Sequence, residues 1–273
     1  MTSCSAARAM AIVVAFATGV VAPRAAGFDH DYRQYAKVLQ DHVHGVRVDY
    51  SALTSGRATL DGAVAALAEP TGEEEHGWTR EQRLAFWINA YNLFTLRAIV
   101  DHYPIRSSLF TLQPRNSIRQ IDGVWTKLTW HAAGRTLTLD DIEHRILRPE
   151  FKEPRVHFAV NCASRGCPPL AAEPYRAPTL DAQLDAAARR YLASDQGLRI
   201  EGRVLRVSRI LQWYGDDFVA RFAPEAEGKA DRIERAIRAV VLRFGPPTAA
   251  DLARKPGTTI RFLNYDWSLS DLQ

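Results

Sequence analysis

The chain has 273 residues, of which 47% are hydrophobic and 24% charged, ample for a sizeable core. Its 35 Lys and Arg against 31 Asp and Glu leave a formal charge of +4, and the cations are scattered rather than clustered. That distribution argues against nucleic acid as a partner.

In chain order, Arg8 precedes the uncharged stretch Ala9 to Val21, and Ala22 to Ala26 follows with Pro23 and small residues. This is the layout of a secretory signal over residues 1–26, too short in its apolar part to span a bilayer as a helix. Export to the periplasm or beyond follows as an expectation, with Cys4 leaving alongside the signal and a formal charge near +2 after loss of Arg8 and Arg24. No later apolar run approaches membrane length, so no integral membrane segment is expected afterwards.

Residues 27–78 are expected as a helical N-terminal extension. Tyr32, Tyr35, Leu39 and Val43 recur at helical spacing over Asp31 to Val43, Val46 to Tyr50 is extended, and Thr59 to Ala68 is amphipathic. Glu69 to Gly77 is acidic, punctuated by Pro and Gly, and predicts an exposed loop. The core domain is placed at 79–222. Thr79 with Gln82 forms a capping box for a helix that is apolar on nearly every side and therefore buried, carrying the polar Asn89 and Asn92. Each buried amide must brace a loop or line a site.

Val124 to Leu137 predicts a hairpin turning at His131 to Gly134, after which Thr138 and Asp141 cap a helix from Leu139 to Leu147 that Pro149 stops. Glu143 and His144, adjacent on that helix, point about 100° apart, so one of them at most is expected to face a common site. Arg155 to Asn161 alternates as a strand with His157 and Asn161 on one face. A helix from Thr179, a hairpin over Leu198 to Val207 and a short helix over Trp213 to Phe222 complete the core. Residues 223–273 add the amphipathic helix Lys229 to Phe244 and a closing strand, Ile260 to Trp267. Hairpins mixed with helices, without strand-helix alternation, predict an α+β fold with a mostly antiparallel sheet packed on a buried central helix.

Chemistry concentrates between His157 and Cys167. Cys162 is the candidate nucleophile and His157 the candidate base, with Asn161 or Asn89 supporting the ring or an oxyanion; Asn92, Glu143 and His144 are further candidates. A thiol acts as its thiolate, which needs a nearby base or positive potential. Two other readings stay open: a Cys162–Cys167 disulfide stapling a non-catalytic binding domain in an oxidising compartment, and thiol–disulfide exchange. Zinc held by both thiols and a histidine is a weaker reading, because no second paired motif exists, and no cofactor or metal is expected. The expected partner is a small-molecule or peptide substrate.

Trp87-Ile88-Asn89-Ala90-Tyr91-Asn92, Ile142-Glu143-His144 with Leu147-Arg148, Pro154 to Ala159, Asn161-Cys162-Ala163-Ser164 and Cys167-Pro168 together resemble the bacterial and plant family called domain of unknown function 547. Trp213-Tyr214, Asp217-Phe218 and Tyr265-Asp266-Trp267 look like its downstream pattern. The resemblance runs from about Thr79 to Phe218 and brings no established activity. The layout is also loosely similar to papain-like and transglutaminase-like thiol enzymes, except that the buried helix has no cysteine and the thiol follows the histidine.

Overall fold

The computed structural model describes residues 27–106, 113–114, 116–225 and 229–272, so the expected signal at 1–26 lies outside the described residues. The chain begins with α1 (Arg33–His42), the short ribbon β1 (Val43–His44) and β2 (Arg47–Val48), and α2 (Tyr50–Ser55). The extended Val46 to Tyr50 of the sequence reading thus ends early, because the Asp49 side chain accepts from Ala52 N at 2.9 Å and starts a helix.

After α3 (Ala58–Ala66), the acidic stretch is helical rather than an exposed loop: α4 (Gly72–His76) is closed by a Thr71–Glu74 capping box. Glu75, fully buried, accepts from Arg83 Nε and Trp87 Nε1, each at 2.8 Å, and lies 3.4 Å from Arg135. This buried carboxylate ties α4 to α5 (Arg80–His102), the long central helix, whose Thr79–Gln82 capping box forms as the spacing predicts.

A hairpin of β3 (Trp130–Ala132) and β4 (Arg135–Leu137) turns on Ala133 and Gly134, both at positive φ. Thr138 and Asp141 cap the next helix reciprocally. That helix, π-wound over Asp141–Phe151, runs through Pro149 instead of stopping there and ends at Lys152 in the left-handed region. The wider winding accommodates a residue with no N–H to give the ladder.

The predicted strand at Arg155 to Asn161 is instead a 3-10 helix, Pro154–Phe158. Pro154 fixes the first φ, Glu153 accepts from Arg155 N at 3.1 Å, and the turn closes through Val156 N on Glu153 O at 3.1 Å. Every residue of it is buried, so its alternating pattern never had a polar face to present. Without a histidine-bearing strand, the papain-like likeness finds no support.

The rest is α6 (Leu180–Leu192), β5 (Leu198–Glu201), β6 (Val204–Val207), α7 (Ile210–Trp213), α8 (Gly215–Phe222), α9 (Lys229–Phe244), α10 (Pro247–Arg254) and β7 (Thr259–Phe262). β5 and β6 pair antiparallel in the predicted hairpin, and β7 adds to β6 in parallel. The closing strand is shorter than expected; beyond Phe262 the chain continues as a strap over the Cys162 loop. The protein is a mixed α+β structure of small sheets among helices. Among the described residues no helix is long and apolar enough to cross a membrane.

Two hydrophobic cores organise these elements. One gathers α1, α2, α3, α5, the π-wound helix and the start of α6 around Trp87, Phe94 and Leu147, and the other gathers the rest of α6, α7 to α10 and the three-stranded sheet around Tyr191, Phe218 and Val240. Val156 belongs to the first core and Phe158 to the second, so the 3-10 helix bridges them and His157 stands at their seam.

A candidate thiol site at the seam between two cores

A cavity of ≈ 350 Å³ opens at this seam, a volume suited to a small molecule. Tyr91, Trp125, Glu143, His144 and Val160 line it from the first core's side, and Ile210, Trp213, Tyr214, Tyr265 and Trp267 from the other, with His157, Cys162 and Cys167 between.

His157 is held before any ligand arrives. Arg155 anchors its turn through Glu153 at 2.7 Å, Asp181 at 2.7 Å and Asp185 at 2.6 Å. The imidazole Nε2 lies 2.8 Å from Asp217 Oδ2 on α8, and Arg148 grips the same carboxylate in a fork at 2.7 and 3.0 Å. Tyr214 stacks on the ring with centroids 3.8 Å apart. Burial lowers the His157 pKa more than the Asp217 bond raises it, so the ring is neutral near pH 7 and Nε2, facing a carboxylate, carries the proton. Hydrogen bonds from His157 and Arg148 hold Asp217 well below the usual carboxylate range against the opposing effect of burial. Nδ1, the basic nitrogen of that tautomer, has no hydrogen-bond partner among the described residues; neither has Glu143 Oε1, which lies 4.0 Å from it.

The Cys162 loop is fixed by amides. Asn92 accepts from Asn161 N at 2.8 Å and donates to Ala159 O at 3.0 Å. Asn161 donates to Pro168 O at 2.7 Å and accepts from Ala163 N at 2.8 Å, while Asn89 bonds both the N–H and C=O of Tyr175. These three candidates therefore direct their amides at backbone. The C-terminal strap covers the loop: Arg165 N donates to Ser268 O and Gly166 N to Asp266 O, each at 2.8 Å. A Cβ on Gly166 would sit 2.9 Å from Asp266 N, so only glycine admits the strap there. Asp266 turns its carboxylate to Ser268 N at 2.9 Å, as a backbone cap, and Ser270 donates to Ala163 O at 3.0 Å.

Both cysteines are free thiols, with sulfurs 2.8 Å apart. Cys162 Sγ also lies 3.1 Å from Ser164 Oγ and 3.3 Å from Tyr265 OH, while Cys167 Sγ accepts from Cys162 N at 2.9 Å. Hydrogen bonds from Cys167, Ser164 and Tyr265 bring the Cys162 thiol below its ordinary value against the cost of burial. Burial and the neighbouring Cys162 charge push Cys167 up. The pair is thus polarised, with the thiolate favoured on the half-exposed, cleft-lining Cys162. Among the described residues no group of three His, Cys, Asp or Glu side chains is arranged to hold a metal ion.

Of the candidates, Cys162, His157, Glu143 and His144 share the cleft. Glu143 and His144 both reach it, contrary to the 100° argument: the π-wound helix presents Glu143 from inside, buried, and His144 at the rim, where it contacts Arg148 at 2.9 Å and Asp140 at 3.8 Å. His157 and Cys162 are not hydrogen-bonded to each other; they face a shared space. Arg148, Asp217 and Tyr214 hold His157, and Ser164 and Tyr265 touch Cys162, contacts that the sequence alone does not assign. The spaced motifs contained each of them, but distance along the chain hid their convergence.

Residues 76–192 match the model of a family described as protein of unknown function, DUF547. The match takes in the π-wound helix, His157 and both thiols, and ends before Asp217 and Tyr265. No curated protein and no solved structure matches the chain.

Proposed function

This is a DUF547 domain-containing protein, and for its cleft we propose a thiol-dependent acyl transfer, hydrolysing or transferring a peptide, amide or thioester acyl group. The observation that supports it best is a single cleft holding both a thiol with three hydrogen-bond partners and a fixed imidazole whose Nδ1 has no hydrogen-bond partner among the described residues.

The two groups divide the work. Cys162 reaches the thiolate through its own hydrogen bonds rather than by giving its proton to His157, and attacks the acyl carbonyl to form a thioester. His157 then serves the leaving group and the water: its neutral Nδ1 takes up from solvent the equivalent of the proton that Cys162 released, passes it to the departing amine or thiolate, and then takes one from the water that hydrolyses the thioester, as Cys162 leaves again as the thiolate. Asp217 keeps Nδ1 as the basic nitrogen, and Arg148 keeps Asp217 ionised. Tyr265 OH, 3.3 Å from the sulfur, is a donor to the carbonyl oxygen as it gains charge.

The test is an activated acyl thioester and an acyl amide, read by intact mass and turnover. Cys162 should carry the acyl group, Cys162→Ala should lose it, and His157→Gln should accumulate it by slowing deacylation. Equal turnover by Cys162→Ala overturns the proposal.

A second reading is favoured by the approach of the two sulfurs: a Cys162–Cys167 bridge in an exported, non-catalytic binding domain. Export itself is proposed from the leader at residues 1–26, and N-terminal sequencing of periplasmic protein tests it. A thiol count without reductant separates the readings, since the bridge predicts none and acyl transfer requires a free Cys162.

A further inference from the structure

From Cys162 a continuous line of rings leads away from the thiol. Tyr265, whose hydroxyl touches the sulfur, packs on Trp267 with centroids 4.6 Å apart, and Trp213 stacks on Trp267 at 5.9 Å with ring planes 24° apart. Trp213 is 46% exposed, a large apolar surface left open beside a cleft. At the end of the line the Arg119 guanidinium lies over the Trp267 ring, 4.8 Å from its centroid. Arg119 is exposed, lines the same cleft and forms no ion pair among the described residues.

The two arginines that hold the His157 segment are committed, Arg148 to Asp217 and Arg155 to three carboxylates. Among the described residues the charge of Arg119 is met by the Trp267 ring face, a contact that does not consume the N–H donors. The anionic side chains of the cleft, Asp140 and Glu143, come from the π-wound helix and the turn before it, and neither bonds Arg119.

We propose that Arg119 with Trp213 and Trp267 forms a substrate subsite for a carboxylate carried next to a flat apolar group, as at the C-terminus of a short peptide or N-acyl amino acid with an aromatic side chain. The guanidinium takes the carboxylate in a two-bond fork, and the exposed Trp213 face takes the ring. The cavity size limits the occupant to about a dipeptide rather than a folded chain. That the occupant is a substrate rests on the acyl-transfer reading, but its binding does not depend on any chemical step.

The test therefore uses Cys162→Ala protein and equilibrium binding, followed by tryptophan fluorescence and checked by calorimetry. The probes are N-acetylphenylalanine and its uncharged amide, which differ at the carboxylate alone. The acid should bind on the order of 10-fold more tightly than the amide at low salt, with the margin narrowing as salt is raised. Arg119→Met should abolish the preference and Arg119→Lys keep part of it, while Trp213→Ala weakens both probes. Equal binding of acid and amide, no binding of either, or a preference that survives Arg119→Met overturns the subsite. Failure of the acyl-transfer reading shows instead as the absence of a Cys162 adduct, with this binding intact.

Discussion

Replacing Asp217 by Asn removes one charge and leaves the shape, which makes it a sharp probe of how His157 is held. Three charge-assisted contacts converge on this carboxylate: His157 Nε2 at 2.8 Å and Arg148 at 2.7 and 3.0 Å. Removing one partner of a buried ion pair costs about 3 to 5 kcal/mol, and Asp217 keeps a quarter of its side chain exposed, which places the expected loss near 2 to 3 kcal/mol. Asp217 has a folded pKa below its unfolded value, so its contribution is present above about pH 4 and is lost as pH falls through the folded value. His157, lowered by burial, costs stability as pH falls below about 6.5, where the unfolded ring takes up a proton. The Asp217→Asn protein should therefore lose more stability than wild type between about pH 6.5 and 4, because its imidazole is harder still to protonate, and less below about pH 4. Urea denaturation across that range gives the stabilities, and ring-nitrogen NMR reads the His157 tautomer, which should lose its preference for the Nε2 proton. A stability loss under about 0.5 kcal/mol with the tautomer unchanged refutes the reasoning.

Glu75→Gln should destabilise by about 3 kcal/mol in chemical denaturation, since it leaves Arg83 and Arg135 facing a neutral group in a buried site. Asn92→Ala strips partners from Asn161 N–H and Ala159 C=O, and should cost about 2 to 4 kcal/mol and loosen the Cys162 loop, seen as faster exchange of the Asn161 amide. Gly166→Ala should displace the C-terminal strap, with a loss of about 1 to 3 kcal/mol and a Cys162 alkylation midpoint moved upward but still below the ordinary thiol value, because Tyr265 moves off the sulfur while Cys167 and Ser164 stay.

Long periodic elements were legible in the sequence. The buried central helix with its capping box, the hairpin at Leu198 to Val207 and the helix Lys229–Phe244 follow from patterns that local physics enforces. The segment around His157 was not, because a period of two describes both a half-buried strand and a fully buried turn, and Pro154 with the Glu153 cap decided between them. Glu75 misled in the opposite sense: an acidic run implies solvent, and only the convergence of Arg83, Trp87 and Arg135 makes burial tolerable. The sequence marked the region of Cys162 and His157, but Asp217 and Tyr265 enter from elements 60 and 103 residues away from them.

The reactivity of Cys162 bears most directly on the central claim. Reduced protein is alkylated with iodoacetamide across the range from mildly acidic to alkaline pH, and each cysteine is followed by peptide mass in wild type and Cys167→Ala. Cys162 should react fast with a midpoint below the ordinary thiol value of about 8.5, Cys167 should stay protected, and loss of Cys167 should move the Cys162 midpoint upward, because its strongest sulfur hydrogen bond is gone. A Cys162 midpoint at or above the ordinary value, unchanged by Cys167→Ala, contradicts the account.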